Sequence, residues 1–162
     1  MRAQRLDRTL TAYRIGDPNG DYAIFDATGS TIHPGRWNDS EHPVIYAGEH
    51  YSTAMLEKLA HANGLLPPNQ HYIEVTLHRG LSYEVVTKDH LPGWAAADCQ
   101  DAKKYGVRWA DERRSALLMV PSLVARVEHN IIINPAHEEF GQIESSLARP
   151  VWWDERLFLQ EG

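Results

Sequence analysis

Arg14, Arg36, Tyr46, Glu57, Ser122, Asn130 and Asn134 stand in local settings where they could do chemistry. Glu57 lies four residues after Thr53 and four before His61, so all three share one side of any helix that carries them. An ionised carboxylate there accepts hydrogen bonds from hydroxyls and stabilises developing positive charge in a water-poor cleft. Arg36 follows Gly35 in a loop where the backbone can approach a ligand, and Arg14 sits in an alternating, strand-like segment. A planar guanidinium matches phosphate oxygens with paired hydrogen bonds, which an ammonium does not. Tyr46 offers a ring face to an electron-poor or cationic partner. Ser122, after Pro121, has a hydroxyl for binding phosphate or positioning an attacking group, and Asn130 and Asn134 have amides that suit a sugar or a backbone.

Each residue also has a plainer reading. A glutamate on such a helix is most often solvated, and a strand arginine most often forms a surface salt bridge. Tyr46 is equally a core tyrosine, and for Trp37 packing is the favoured role. A lone serine is nonspecific, Asn134-Pro135 is a pair that ends strands, and the adjacent Glu138-Glu139 reads as a solvated turn rather than a two-carboxylate site.

Several common sites are excluded. There is no glycine-rich dinucleotide loop, no Walker-type glycine–lysine loop and no G-x-S-x-G elbow. No H-E-x-x-H or paired C-x-x-C occurs, and the nine histidines are scattered, so no metal is assigned. A net charge of −6 opposes electrostatic binding of nucleic acid, which needs a basic surface. One cysteine, Cys99, rules out an internal disulfide and suggests a reducing, cytoplasmic setting. No segment reads as a signal peptide or a membrane span, since the best apolar run, Ala116 to Val120, stops at Pro121.

The elements that must position these residues read as follows. At 162 residues the chain is one ordinary domain with a core of its own. Thr9 to Ile15 alternates as a strand, and Pro43 to Gly48 is a short buried strand. A helix capped at Ser52 or Thr53 runs to Asn63-Gly64, with Leu56, Leu59 and Ala60 as its buried stripe. His71 to His78 and Leu81 to Val86 suggest an antiparallel ribbon joined at Arg79-Gly80. Trp94 to Tyr105 and Val107 to Ser115 read as two helices separated by Gly106, and Leu117 to Val120 and Val124 to Ile133 as strands. Short strands mixed with helices, without regular βαβ alternation, give an α+β class with a mixed or antiparallel sheet.

Gly35-Arg36-Trp37-Asn38, then Pro43-Val44-Ile45-Tyr46-Ala47, then Ser52 to Glu57 resemble the RES family, with its G-R-W-N loop, V-x-Y strand and A-x-L-E helix. Pro121-Ser122, Asn130 to His137 with Phe140, and Arg156-Leu157-Phe158 resemble its later P-S, L-x-N-P-x-H-x-x-F and R-L-F elements. The match runs from about Tyr13 to Phe158, and several ordered motifs together are far more specific than one. The resemblance implies an ADP-ribosyltransferase-like fold and the toxin of a type II toxin–antitoxin pair, with an Xre-type antitoxin as partner. It implies NAD+ as substrate rather than as a resident cofactor, cleaved at the nicotinamide–ribose bond by hydrolysis or phosphorolysis. Transfer of ADP-ribose to a cellular protein is the alternative, and a non-catalytic nucleotide-sensing or partner-binding module is the alternative of another kind. On this resemblance Glu57, Arg36 and Tyr46 are the expected catalytic residues. Arg14, Arg36, Tyr46, Ser122, Asn130 and Asn134 are the expected NAD+-binding ones.

Overall fold

A computed structural model describes residues 3–65 and 67–158. Its strands are β1 (Gln4–Arg5), β2 (Leu10–Gly16), β3 (Ile45–Gly48), β4 (His71–Leu77), β5 (Ser82–Val85), β6 (Leu117–Pro121), β7 (His129–Ile133), β8 (Glu144–Ser145) and β9 (Arg149–Pro150). Its helices are α1 (Gly29–Ile32), α2 (Tyr51–Ala62) and α3 (Gln100–Asp111), with short 3-10 turns at Phe140–Gln142 and Glu155–Leu157. All nine strands form one sheet in the order β1-β5-β6-β7-β3-β2-β4-β8, with β9 also on β4. Every pairing is antiparallel except β5 with β6, which α3 connects as a crossover. The expected α+β class holds.

β6 from Leu117 to Val120 and β7 from Ile131 to Ile133 are continuously apolar because both faces of the sheet are covered there. Leu117, Ile131 and Ile133 join one core with Ala12, Ile45 and Val75. Leu118, Val120 and Ile132 join the other with Trp37, Trp94 and Trp109. Trp37 is thus a packing residue, as its size suggests.

Four expectations are corrected. His71 to His78 and Leu81 to Val86 do not form a ribbon: β4 pairs with β2 while β5 pairs with β1 and β6. The two helices around Gly106 are one, α3, and Trp94 to Cys99 precedes it as loop. Gly106 is there for contact rather than termination, since a Cβ on it would lie 1.8 Å from the Trp37 carbonyl oxygen. The strand read from Val124 to Ile133 starts only at His129, because residues 122–128 close on themselves through Ser122 N–H to Glu128 O and Glu128 N–H to Ala125 O. Finally, α2 buries Thr53 and Ala54, not the Leu56/Leu59/Ala60 stripe, and Leu56 and Ala60 are exposed. Its stop is as expected, with Asn63 in the left-handed conformation at φ 53°.

The middle of the sheet has a seam. β2 and β4 share an unbroken run of register pairs from Leu10↔Leu77 to Gly16↔His71, but β2 and β3 share only Tyr13↔Gly48. Beyond that pair the Arg14 guanidinium takes the place of ladder bonds. Its Nη1 donates to Tyr46 O at 2.7 Å and its Nε to Ile24 O at 2.6 Å.

Candidate active site

Glu57 and Thr53 project from the same side of α2 towards the segment that joins β6 to β7. Thr53 Oγ1 donates to Glu128 Oε1. Glu57 Oε1 accepts from Asn130 Nδ2 at 2.8 Å and from Ser122 Oγ at 3.3 Å. Both donors meet one carboxylate oxygen, and Oε2 has no partner among the described residues. The Asn130 side-chain oxygen, Oδ1, is buried and also without a partner among the described residues. A carboxylate fixed at one oxygen and free at the other is ready to accept from a hydroxyl or to face a cation, and a buried orphan acceptor calls for a donor.

Tyr46 belongs to a second cluster, built by the Gly35 to Asn38 loop. Its hydroxyl donates to Asn38 Oδ1 at 2.7 Å and accepts from Trp37 N–H at 3.1 Å. Asn38 Oδ1 also accepts from Gly35 N–H at 2.8 Å, while Asn38 Nδ2 donates to the carbonyls of Ser30, Asp39 and His42. Gly35 has no room for a side chain, because a Cβ would lie 2.6 Å from the Tyr46 hydroxyl oxygen. Burial pushes the Tyr46 phenol well above its ordinary range, so it stays neutral, with the hydroxyl committed and the half-buried ring packed at the edge of the Trp37, Trp94 and Trp109 cluster. Arg36 Nη1 donates to Trp94 O at 3.2 Å and Ala96 O at 2.7 Å, which ties this loop to the segment before α3.

The two clusters occupy one face of the sheet. Tyr46 opposes Ile132 and Gly48 opposes Asn130, and opposed residues share a face. Tyr46 and Asn130 are therefore diagonal neighbours, about 7–8 Å apart at that ladder position. Val120, opposite Asn130, places Ser122 on that face as well. The structure thus brings Tyr46, Ser122, Asn130 and Glu57 together, with Arg36 at the side of Tyr46.

Arg14 meets that cluster only at the Tyr46 main-chain carbonyl, and Asn134 lies apart from it. Arg14 lines a cavity of about 270 Å³ with Lys58, Asp17, Tyr22 and Asp26. Burial lowers its pKa, against the opposing pull of Asp26; burial and then Arg14 lower that of Lys58. Asn134 is buried and bound to main chain, donating to Ala110 O and accepting from Ala136 N–H, the role of a strand-ending asparagine. A larger cavity of about 380 Å³ is apolar, between Phe25, Ile45 and Phe140, and none of the sequence-derived site residues lines it. Glu139 is no solvated turn residue, since it accepts from Ser82 N–H and Oγ and pairs with Arg5. Among the described residues no group of three or more His, Cys, Asp or Glu could hold a metal ion.

Sequence reasoning missed Asn38, the hub of the Tyr46 cluster, although it closes the Gly35 to Asn38 quartet. It also missed Arg126, whose guanidinium lies 5.5 Å from the Trp94 ring centroid, and no local signal marks that residue.

The RES domain is matched across residues 11–154. The chain belongs to the RES family. A Sphingobium protein named "Prs ADP-ribosylating toxin" is 34% identical over 156 residues, covering 92% of this chain and 97% of that one. A Pseudomonas putida protein named "Toxin Res" is 31% identical over 122 residues, covering 73% and 82%. The crystal structure of the M. tuberculosis MbcT-MbcA toxin–antitoxin complex contains a chain with TM-score 0.72 at 15% identity, covering 91% of this chain and 86% of that one. At that identity the likeness concerns the fold. In this RES member the G-R-W-N quartet is the clip around Tyr46, and the A-x-L-E helix carries Glu57.

Proposed function

We propose that this chain is the toxin of a bacterial toxin–antitoxin pair and consumes NAD+ at its nicotinamide–ribose bond. The observation that carries this is Glu57: Ser122 and Asn130 hold one oxygen, the other is free among the described residues, and Tyr46 shares the sheet face of Asn130, with Arg36 in the loop that clips Tyr46. As the C1′–N bond breaks, its electron pair leaves with nicotinamide and the ribose becomes cationic, as in glycoside cleavage. Glu57 Oε2 accepts from a ribose hydroxyl and stabilises that charge. The Tyr46 ring stacks on the cationic nicotinamide, and Arg36, with Nε and Nη2 unpaired among the described residues, binds the diphosphate. Water or inorganic phosphate then forms the new C1′–O bond, water losing a proton to solvent. NAD+ enters as substrate, and the partner is an antitoxin, of Xre type on the family resemblance; the structural likeness to a chain of a toxin–antitoxin complex supports an antitoxin as partner.

A protein side chain as acceptor is the second reading, favoured by the relative named as an ADP-ribosylating toxin. Antitoxin-free protein incubated with labelled NAD+ tests both. Release of nicotinamide with the label in small molecules, lost in Glu57→Ala, supports hydrolysis or phosphorolysis, and added phosphate separates those two. Label fixed covalently on a lysate protein supports transfer. Intact NAD+ and an unlabelled lysate after long incubation, with and without phosphate, would overturn the proposal.

A further inference from the structure

Two guanidinium groups meet Trp94, one at its main chain and one at its ring. Arg36 binds its main-chain carbonyl, and Arg126 lies over its ring at 5.5 Å from the centroid. Trp94 itself is buried in the apolar cluster with Val120 and Ile132, strand neighbours of Asn130 and Ser122. Both cations therefore border the face that carries Tyr46 and Glu57. Each is anchored by only part of its donor set: Arg36 through Nη1, and Arg126 through Nε to Leu123 O at 3.2 Å. The terminal nitrogens of Arg126 have no partner among the described residues.

The segment that carries Arg126 is tied to the carboxylate by one hydroxyl. Ser122 Oγ donates to Glu57 and accepts from Ala125 N–H at 3.0 Å, one residue before Arg126. Ser122 N–H to Glu128 O closes the segment, and Thr53 to Glu128 fixes its other end to α2. This organisation sets Arg126 apart from a freely swinging surface arginine. The cation–π contact with the Trp94 ring and the Leu123 bond restrict the guanidinium, so less conformational entropy is lost when it binds an anion. In a chain of net charge −6, two restricted guanidiniums at one tryptophan form a local cationic rim.

We propose that Arg126 is a second diphosphate-binding residue, working with Arg36 across Trp94 as a two-arginine clamp on the dinucleotide. The proposal rests on the NAD+-consuming reading above and adds to it the residue that holds the phosphates on the side of the β6–β7 segment. Arg126 contacts substrate without taking part in bond cleavage. Its loss therefore raises KM and leaves kcat within a few-fold, whereas a merely structural role, disturbing Ser122 and hence Glu57, lowers kcat.

The test is calorimetric binding of ADP-ribose and of nicotinamide to antitoxin-free wild type, Arg126→Ala and Arg126→Lys, with steady-state NAD+ kinetics on the same proteins. Removing a charge-assisted phosphate contact is expected to weaken ADP-ribose binding about ten- to hundredfold and leave nicotinamide binding unchanged. Arg126→Lys recovers only part of the loss, because an ammonium lacks the paired geometry. The salt dependence of ADP-ribose affinity becomes shallower in Arg126→Ala. Equal ADP-ribose affinity in wild type and Arg126→Ala, or a fall in kcat with KM unchanged, overturns the clamp while the NAD+ reading stands. A wild-type protein that binds neither ADP-ribose nor NAD+ overturns both.

Discussion

Glu57 divides its carboxylate between the fold and the cleft: Asn130 and Ser122 hold one oxygen and the other is open. Asn130 supplies the shorter bond, so Asn130→Ala frees the carboxylate to rotate and is expected to lower kcat for NAD+ consumption about ten- to hundredfold, with a smaller change in KM. Steady-state kinetics on the folded variant check this, and an unchanged kcat removes Asn130 from the positioning role. Tyr46 makes the opposite prediction. Its hydroxyl is engaged by Asn38 and the Trp37 amide, so Tyr46→Phe should cost about 1–2 kcal/mol of stability in a denaturant titration yet keep activity per folded molecule. At this scale the sequence showed which residues had suitable chemistry but not their neighbours. Nothing near Glu57 in the chain announces Ser122 or Asn130, which arrive from 65 and 73 positions away. Asn38 was visible as one letter of a quartet, and its hub role follows only from folding the loop back on Tyr46.

At the scale of elements, the loop after Asn38 is fastened to α3 by His42. His42 Nδ1 lies 2.6 Å from Asp39 and Nε2 lies 3.4 Å from Asp111, and the Asp39 hydrogen bond, the largest cause, raises the imidazole pKa above its ordinary 6.5. A raised folded-state pKa means that the contribution is fully present below the unfolded value and is lost as pH rises through the folded one. Thermal unfolding of wild type should therefore show a loss of stability as pH rises above the ordinary imidazole value of 6.5 that His42→Ala lacks; parallel profiles for the two proteins would disprove it. Gly106 tests the packing of α3 itself. A Cβ there meets the Trp37 carbonyl, so Gly106→Ala should destabilise by about 1–3 kcal/mol or more, despite alanine's better helix propensity, as read by the denaturation midpoint. That conflict explains why sequence reading cut α3 in two: glycine in a helical pattern signals a stop unless a close tertiary contact demands it. The α2 stripe went wrong for a related reason, because the face that packs is set by the seat of Ala54 beside β3 rather than by the most apolar positions.

Across the whole molecule, strand existence was largely legible and strand neighbourhood was not. Alternation and apolar runs located β2, β3, β4 and β6, since each depends on which of its own faces is covered. Pairing depends on distant segments. β4 and β5 are linked by a short turn yet part company, because α3 returns the chain so that β6 lies parallel to β5 while β4 is taken by β2. No helix among the described residues is long and apolar enough to cross a membrane.

The lone register pair between β2 and β3 has a mechanical implication. A nine-stranded sheet joined at its midline by Tyr13↔Gly48 and one side chain behaves as two panels on a shared rivet. Arg14 is that rivet, and Arg14→Lys, which cannot reach Ile24 and Tyr46 from two rigidly related nitrogens, should loosen the panels. Faster amide exchange concentrated at residues 13–16 and 46–48, with the remote edge strands unaffected, is the signature to look for. Defects in Arg14 variants would then originate in a fold that opens along its middle.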